Sequence, residues 1–152
     1  MIGNRLIITG IIGMLATGCT SLPKDHYFVC PYDTVWEAAV DTMTDQPITI
    51  KNKDKGLIET GWTEMAAKER SFGVFARDAF DNKERARMSV SLKPLNDVTE
   101  VSVIEMRQRW HLRGGVTQQA TKWWPIEPSE EAMTAVMDRI NLKLKDRGCS
   151  HG

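Results

Sequence analysis

The chain has 152 residues, and its 20 Lys and Arg residues balance 20 Asp and Glu residues, so that its formal net charge at pH 7 is zero. Because nucleic-acid-binding proteins concentrate positive charge on one face, this balance argues against a nucleic-acid partner. The length corresponds to one domain with one hydrophobic core.

The first 18 residues have the pattern of an export signal. Arg5 supplies a positive charge, and an apolar run follows from Leu6 to Ala16. A transmembrane helix needs about 20 apolar residues, and this run is shorter. We therefore interpret residues 1–18 as a cleaved signal peptide. An ordinary secretory signal followed by an incidental cysteine is the alternative.

The end of this segment, Leu15-Ala16-Thr17-Gly18-Cys19, resembles the lipobox of bacterial lipoprotein signal peptides. The resemblance implies that Cys19 becomes the N-terminal residue and carries a covalent diacylglycerol and an N-acyl chain. The residue after Cys19 is Thr20 and not Asp, and by the same resemblance this implies sorting to the outer membrane. Two or more acyl chains anchor a protein stably where one chain is marginal. We expect a lipidated tether over residues 19–26 and a single domain over residues 27–149, with no other cofactor.

Two cysteines remain, Cys30 and Cys149. An even pair in an oxidising compartment is a candidate disulfide. Such a bond would close a loop of nearly the whole domain and stabilise it by about 2–4 kcal/mol. Two free thiols are the alternative, because sequence does not show that two cysteines meet.

Two stretches have the periodicity of amphipathic helices. The first contains Thr34 and Glu37 at the spacing of a capping box, and its apolar stripe is Val35, Trp36, Ala39, Val40 and Met43. The second follows Ser129, which we expect to be its N-cap, and its apolar stripe is Met133, Val136, Met137, Ile140 and Leu144. Both stripes predict packing against a sheet.

The remaining patterns predict strands. Residues 27–30 form a short strand, and residues 48–64 form a hairpin that reverses at Gly56. A second hairpin joins residues 87–94 to residues 99–112. In its return strand the apolar pattern changes phase near residue 103, which indicates a bulge or burial on both faces. We expect the charged side chains beyond that point to face solvent; these are Glu105, Arg107 and Arg109.

The expected fold is α+β, with an antiparallel sheet of about five strands packed against two helices in the order β-α-β-β-β-β-α. The helix opening Tyr32-Asp33-Thr34-Val35-Trp36 and the turn Asn52-Lys53-Asp54-Lys55-Gly56-Leu57-Ile58 resemble the helix-grip domains of BamC-type lipoproteins, the NlpB/DapX family. The resemblance covers roughly residues 28–63 and 129–147. It implies an outer-membrane lipoprotein whose sheet grips a C-terminal helix and which acts through partner proteins.

The sequence contains none of the common catalytic or metal-binding motifs, such as GxSxG, HExxH or CxxC. The three histidines, His26, His111 and His151, are widely separated, and none lies beside a metal-ligand cluster in the sequence. We therefore expect neither an enzyme nor a metal site.

Aromatic side chains in two irregular segments are candidate partner contacts. Phe72, Phe75 and Phe80 lie between predicted strands, where a connection folded back on the core is the alternative. Trp123 and Trp124 are adjacent, so in an extended segment only one of them points inward. The other would contact a partner protein or the membrane interface, unless both rings are partly buried over a sheet edge.

These features predict a non-catalytic interaction module on the periplasmic face of the outer membrane. Its partners would be envelope proteins of an outer-membrane assembly or transenvelope complex. The alternative is a periplasmic carrier that holds a lipid or small apolar ligand between helix and sheet. Its cavity would be lined by Val90, Trp62, Met133 and Met137.

Overall fold

The computed structural model describes residues 24–66, 83–111 and 122–152. These residues form, in chain order, β1 (His26–Val29), α1 (Tyr32–Met43), β2 (Ile48–Asn52), β3 (Leu57–Thr60), β4 (Thr63–Ala66), β5 (Lys83–Leu95), β6 (Val98–His111), β7 (Lys122–Ile126), α2 (Glu130–Asp146) and β8 (Ser150–His151). Every strand pair is antiparallel, which confirms the α+β class. The eight strands described form one sheet, which is larger than expected because β4, β7 and β8 are additional.

The long hairpin of β5 and β6 lies at the centre of the sheet. Its pairing is continuous from Glu84 opposite Arg109 to Leu95 opposite Val98, and Asn96 takes a positive φ of 51° in the turn. The strand order is β2-β3-β5-β6-β1-β8, while β4 and β7 pair with β5 and β6 at the end away from the turn. The bulge predicted as one explanation of the phase change near residue 103 is therefore wrong, because the register has no break there. Ser102 and Val103 lie on opposite faces and are both buried, which agrees with the other explanation, burial on both faces.

Both helices pack on one face of this sheet, which we call the helix side. On the central hairpin this side carries a fully buried set: Met88, Val90, Leu92, Val101 and Val103. The helices bury the stripes predicted for them, with Val40 and Met133 at the margin of the core: Val35, Trp36, Ala39, Met43, Val136, Met137, Ile140 and Leu144. Burial of these apolar side chains supplies the main stabilising free energy of the domain.

The two helices begin differently. The Ser129 hydroxyl accepts a hydrogen bond from the Ala132 N–H at 3.2 Å, which confirms the predicted cap of α2. Helix α1 instead begins after Pro31, whose carbonyl accepts from the N–H groups of Thr34 and Val35. The capping box predicted at Thr34 is therefore wrong. Pro31 is the N-cap, with a φ of −57° and a ψ of 138°, and among the described residues no side chain caps this helix.

The turn between β2 and β3 packs closely on the central hairpin. Gly56 has a φ of 62°, which glycine adopts without a steric penalty. Its carbonyl accepts from the Leu92 N–H at 2.7 Å, and a Cβ at this position would lie 1.9 Å from the Leu92 oxygen. The reversal predicted at Gly56 is confirmed.

A disulfide joins Cys30 to Cys149, whose Cα atoms are 5.4 Å apart. Cys30 directly follows β1, and Cys149 lies between α2 and β8. Strand β8 pairs with β1, and the Gly152 N–H donates to the Tyr27 carbonyl at 3.0 Å. The first and last described strands are therefore held together at the same edge of the sheet.

Candidate functional site

The face of the sheet opposite the helices, which we call the helix-free side, carries the candidate site. Paired residues of antiparallel strands point to the same side, and successive residues alternate. Because Val101 and Val103 are buried under the helices, Ile104 and Met106 point the other way. Among the described residues, both helices lie on the helix side.

Five large apolar side chains on the helix-free side are between 40% and 47% exposed; we call them the apolar row: Tyr27, Val29, Ile50, Ile104 and Met106. Its members lie on β1, β2 and β6. Ile50 pairs with Glu59, Glu59 with Ser89 and Ser89 with Ile104, so two polar residues stand between Ile50 and Ile104 on this side. Single exposed apolar residues are common, but a group on one face is typical of an interaction surface.

One end of this side carries a stack of aromatic rings around an arginine, which we call the Trp–Arg stack: Trp62, Arg85, Trp110 and Trp123. The Arg85 guanidinium lies 4.4 Å from the ring centroids of both Trp62 and Trp123. Its Nε and Nη2 donate to the Gln108 side-chain oxygen at 2.8 and 2.7 Å. Trp110 meets Trp123 edge to face, with 5.3 Å between centroids. The cation–π contacts and hydrogen bonds hold the rings in fixed positions while leaving them partly exposed.

Arg87 connects the Trp–Arg stack to the apolar row. Its guanidinium lies 5.2 Å from the Trp62 ring, and its Nε and Nη2 contact the Met106 sulfur at 3.2 and 3.0 Å. Its Nη1 is 3.9 Å from the Glu59 carboxylate. Arg87 therefore joins the stack to the part of the apolar row that lies on β6.

The helix side of the same end contains buried charges. Glu84, whose side chain is 3% exposed, accepts from Arg107 Nε at 3.0 Å and from Arg109 Nε and Nη2 at 3.0 and 2.7 Å. Glu105 is also buried, and its carboxylate accepts from the Ser129 N–H at the start of α2. The bonds to charged groups offset the cost of burying them.

The prediction that Glu105, Arg107 and Arg109 face solvent is therefore wrong. Their position in the alternation places them on the side of Val101 and Val103. Polarity alone suggested the opposite orientation, but each charge has a partner that lies on another part of the chain. The apolar residues between them, Ile104 and Met106, are the exposed ones.

A cleft of about 340 Å³ lies between β4, the central hairpin and the start of α2, and its lining includes Met65, Glu105, Arg107, Ser129 and Ala132. The cavity expected for a carrier would have a different lining. Val90 and Met137 belong to the filled core, and Met133 packs against it. Trp62 lies with Arg85 on the helix-free side, so these residues do not surround a common space.

The predicted contact residues have separate positions. Trp123 belongs to the Trp–Arg stack, whereas Trp124 pairs with Arg109 on the other side of β7 and is 39% exposed. Cys19, Phe72, Phe75 and Phe80 lie outside the described residues. Sequence reasoning did not assign a role to Arg85, Trp110 or Trp62 at this surface. Keeping the strand alternation unbroken through β6 would have placed Trp110 there.

The polar turn between β2 and β3 is tied to α1. The Tyr32 hydroxyl donates to the Lys53 carbonyl, and burial raises the pKa of Tyr32 above its usual 10.0. The Lys53 ammonium lies 3.0 Å from the Asp33 carboxylate, and this hydrogen-bonded pairing raises the pKa of Lys53. These contacts give the charged turn a structural role.

No known family model and no curated protein matches this chain. Within residues 24–66, 83–111 and 122–152, no helix has the length and apolar content to cross a bilayer, and no group of three His, Cys, Asp or Glu residues is placed to hold a metal ion.

Proposed function

We propose that the protein is a non-catalytic interaction module, anchored by a lipid on Cys19 to the periplasmic face of the outer membrane. In this role it contacts envelope proteins of an assembly or transenvelope complex through the helix-free side of its sheet. The lipid anchor and the outer-membrane location rest on the resemblance of residues 15–19 to a lipobox, and the complex rests on the resemblance to BamC-type lipoproteins.

The observation that carries the proposal is the contrast between the two sides of the sheet. The helix side is filled by the core, whereas the helix-free side presents the apolar row beside the Trp–Arg stack. Tryptophan and arginine are enriched among the residues that dominate binding energy at interfaces. Rings that are already fixed lose little conformational entropy when a partner binds.

Anchoring in a membrane raises the local concentration of partners, so that weak contacts suffice. The carrier alternative has less support, because Val90, Met133 and Met137 lie in or against the filled core and Trp62 lies on the helix-free side, so they do not line a common cavity. The cleft beside α2 is lined in part by Glu105 and Arg107, which suit a small apolar ligand poorly.

The test is affinity purification of the lipidated protein from its own envelope, in parallel with Cys19→Ala and Ile104→Asp. We expect defined proteins to co-purify with the native chain. Their recovery should fall in Cys19→Ala, because the anchor is lost, and in Ile104→Asp, because a charge enters the apolar row.

Leu142→Asp is the matched control. Leu142 is an exposed aliphatic residue of α2, so this variant adds the same charge away from the helix-free side. Recovery that is equal in Ile104→Asp and Leu142→Asp would contradict a binding surface on the sheet. Failure of any protein to co-purify, together with a bound lipid in native mass spectrometry, would replace the module by the carrier.

A further inference from the structure

The pairing of β1 shows that the residues before it come from the end of the sheet that holds the Trp–Arg stack. His26 pairs with Val101 and Phe28 with Thr99, so residues that precede His26 lead toward the higher-numbered residues of β6. That part of β6 pairs with β7, and it carries Gln108 and Trp110. The tether therefore enters the domain from the end of the sheet that holds the stack.

The length of the tether limits how far the anchor can lie from this end. Cys19 is seven residues before His26, and an extended chain spans at most about 3.6 Å per residue, so Cys19 stays within roughly 25 Å of His26. Along β6, the distance from Val101 to Arg109 is about 27 Å at roughly 3.4 Å per residue. A tether that continues in the direction of entry brings the acylated residue level with the stack.

The charges of the helix-free side are divided between the two ends of the sheet. At the end with the stack, the strands carry three cationic side chains and one anionic one on this side: Lys83, Arg85 and Arg87 against Glu64. At the opposite end they carry one cationic side chain and two anionic ones: Lys93 against Glu59 and Glu100. The helix-free side is therefore positive beside the stack, which suits an anionic lipid surface.

We propose that the Trp–Arg stack contacts the headgroup layer of the membrane that holds Cys19. This inference rests on the lipid anchor of the proposed function. Tryptophan is enriched at membrane interfaces because its ring is amphipathic, and arginine extends its charged group toward phosphates while its aliphatic stem stays on apolar surface. In this orientation the sheet stands with the stack end on the bilayer. The stack then contacts lipid, and the protein partners of the proposed function contact the rest of the helix-free side, at Ile50, Tyr27 and Val29.

Tryptophan fluorescence in vesicles tests this orientation. The full-length protein is produced in a bacterium supplied with a clickable fatty acid, purified, and reconstituted in vesicles of phosphatidylethanolamine and phosphatidylglycerol with brominated acyl chains. Bromine quenches tryptophans near the headgroup boundary. We expect strong quenching in the native protein and a smaller quenched fraction in Trp123→Phe, in which Trp62 and Trp110 of the stack remain.

Two control variants separate this contact from a general effect of reconstitution. Trp36→Phe removes a core ring, so the quenched fraction of the emission should not fall. Arg87→Gln leaves the rings in place but removes one positive charge from the surface, and it should weaken quenching more in vesicles with phosphatidylglycerol than in vesicles without it. Circular dichroism shows whether each variant is folded, and Met106→Ser provides a second change to this surface if Trp123→Phe does not fold.

The outcomes distinguish the inference from the function on which it rests. If Cys19→Ser carries as much clickable acyl chain as the native protein, or if neither carries any, the anchor fails and both proposals fall. If Cys19 is acylated but quenching is weak or unchanged in Trp123→Phe, only the membrane contact is overturned. A photo-crosslinker at position 123 that captures a protein in whole envelopes, and no lipid, would also overturn it.

Discussion

The two halves of the central hairpin use the same strand pattern with opposite chemistry. Near the turn, the helix side carries Val90, Leu92, Val101 and Val103, which are held by apolar contacts with the helices. At the far end the same side carries Glu84, Arg107 and Arg109, which are held by hydrogen-bonded ion pairs. The apolar half tolerates changes that conserve volume, whereas the charged half depends on every partner being present.

Among the substitutions that test the hairpin, loss of Glu84 should lower the free energy of unfolding most. Glu84→Ala removes the carboxylate that accepts from both arginines and leaves two part-buried cations without it. Removal of one partner of a buried ion pair lowers the free energy of unfolding by about 3–5 kcal/mol. Urea denaturation followed by circular dichroism measures the loss.

Glu64→Ala is the matched control, because the Glu64 carboxylate is exposed and lies 4.0 Å from the Lys83 ammonium. An exposed pair of this kind contributes at most about 1 kcal/mol. Equal losses in Glu84→Ala and Glu64→Ala would show that the buried pairs do not hold the far end of the hairpin.

A change at Gly56 tests the half near the turn. In Gly56→Ala the added Cβ would meet the Leu92 oxygen, and the positive φ of 62° becomes strained. The left-handed conformation alone costs about 1–2 kcal/mol for a residue with a side chain, and the steric clash adds to this. We expect a decrease of at least about 2 kcal/mol in the free energy of unfolding, measured in the same urea titration.

Gly148→Ala separates these two contributions, since Gly148 also has a positive φ, of 79°, but no atom lies within 4 Å of its Cβ position. It should show only the conformational cost. If Gly148→Ala is as damaging as Gly56→Ala, the close contact with Leu92 makes no contribution.

Glu105 lies at the boundary between the halves and joins the sheet to α2. Glu105→Ala leaves the Ser129 N–H without its carboxylate acceptor. An unsatisfied buried donor costs about 1–3 kcal/mol, so we expect a loss toward the lower part of that range because water can reach the start of the helix. Hydrogen exchange should accelerate first at Ala132 and its neighbours.

Glu130→Ala removes an exposed acidic residue from the first turn of the same helix. Its favourable interaction with the helix dipole contributes about 0.3–1 kcal/mol. A larger effect from Glu130→Ala than from Glu105→Ala would contradict the role of Glu105 in attaching α2 to the sheet.

The smallest expected effect on stability is that of high pH, and it acts at the turn beside Gly56. Because the pKa of Tyr32 is raised in the folded protein, the unfolded chain loses the phenolic proton first, and stability falls as pH rises above about 10. The raised pKa of Lys53 acts in the same direction. Urea titrations between about pH 8 and pH 11 should show this decrease. Tyr32→Phe should reduce it, and an unchanged decrease in this variant would contradict the contribution of the Tyr32 hydroxyl.

The parts of the fold that sequence predicts are those governed by local periodicity. Both helix stripes, the Ser129 cap and the Gly56 reversal depend on residues close together in the chain, and the structure confirms each of them. The start of α1 differs from the prediction because Thr34 and Glu37 have the spacing of a capping box, but the N-cap is Pro31, three residues before Thr34.

The features that sequence did not predict depend on partners distant in the chain. Glu84 and Arg109 are brought together only by the register of the hairpin, so polarity alone assigned the charges of β6 to the wrong side. The same is true of the candidate site, where Trp62, Arg85 and Trp123 come from three separate parts of the chain. Trp123 was recognised as a candidate contact, but its stacking on Arg85 required the sheet topology.

The disulfide between Cys30 and Cys149 has a mechanical consequence. A pull applied between residue 24 and residue 152 passes through residues 24–30, across the covalent bond, and out through residues 149–152. Residues 31–148, which contain both helices and the central hairpin, lie within the closed loop and carry no tension along the backbone. Force applied between these two ends could therefore detach β1 from its neighbours, but it could not unravel the rest of the domain while that bond is intact.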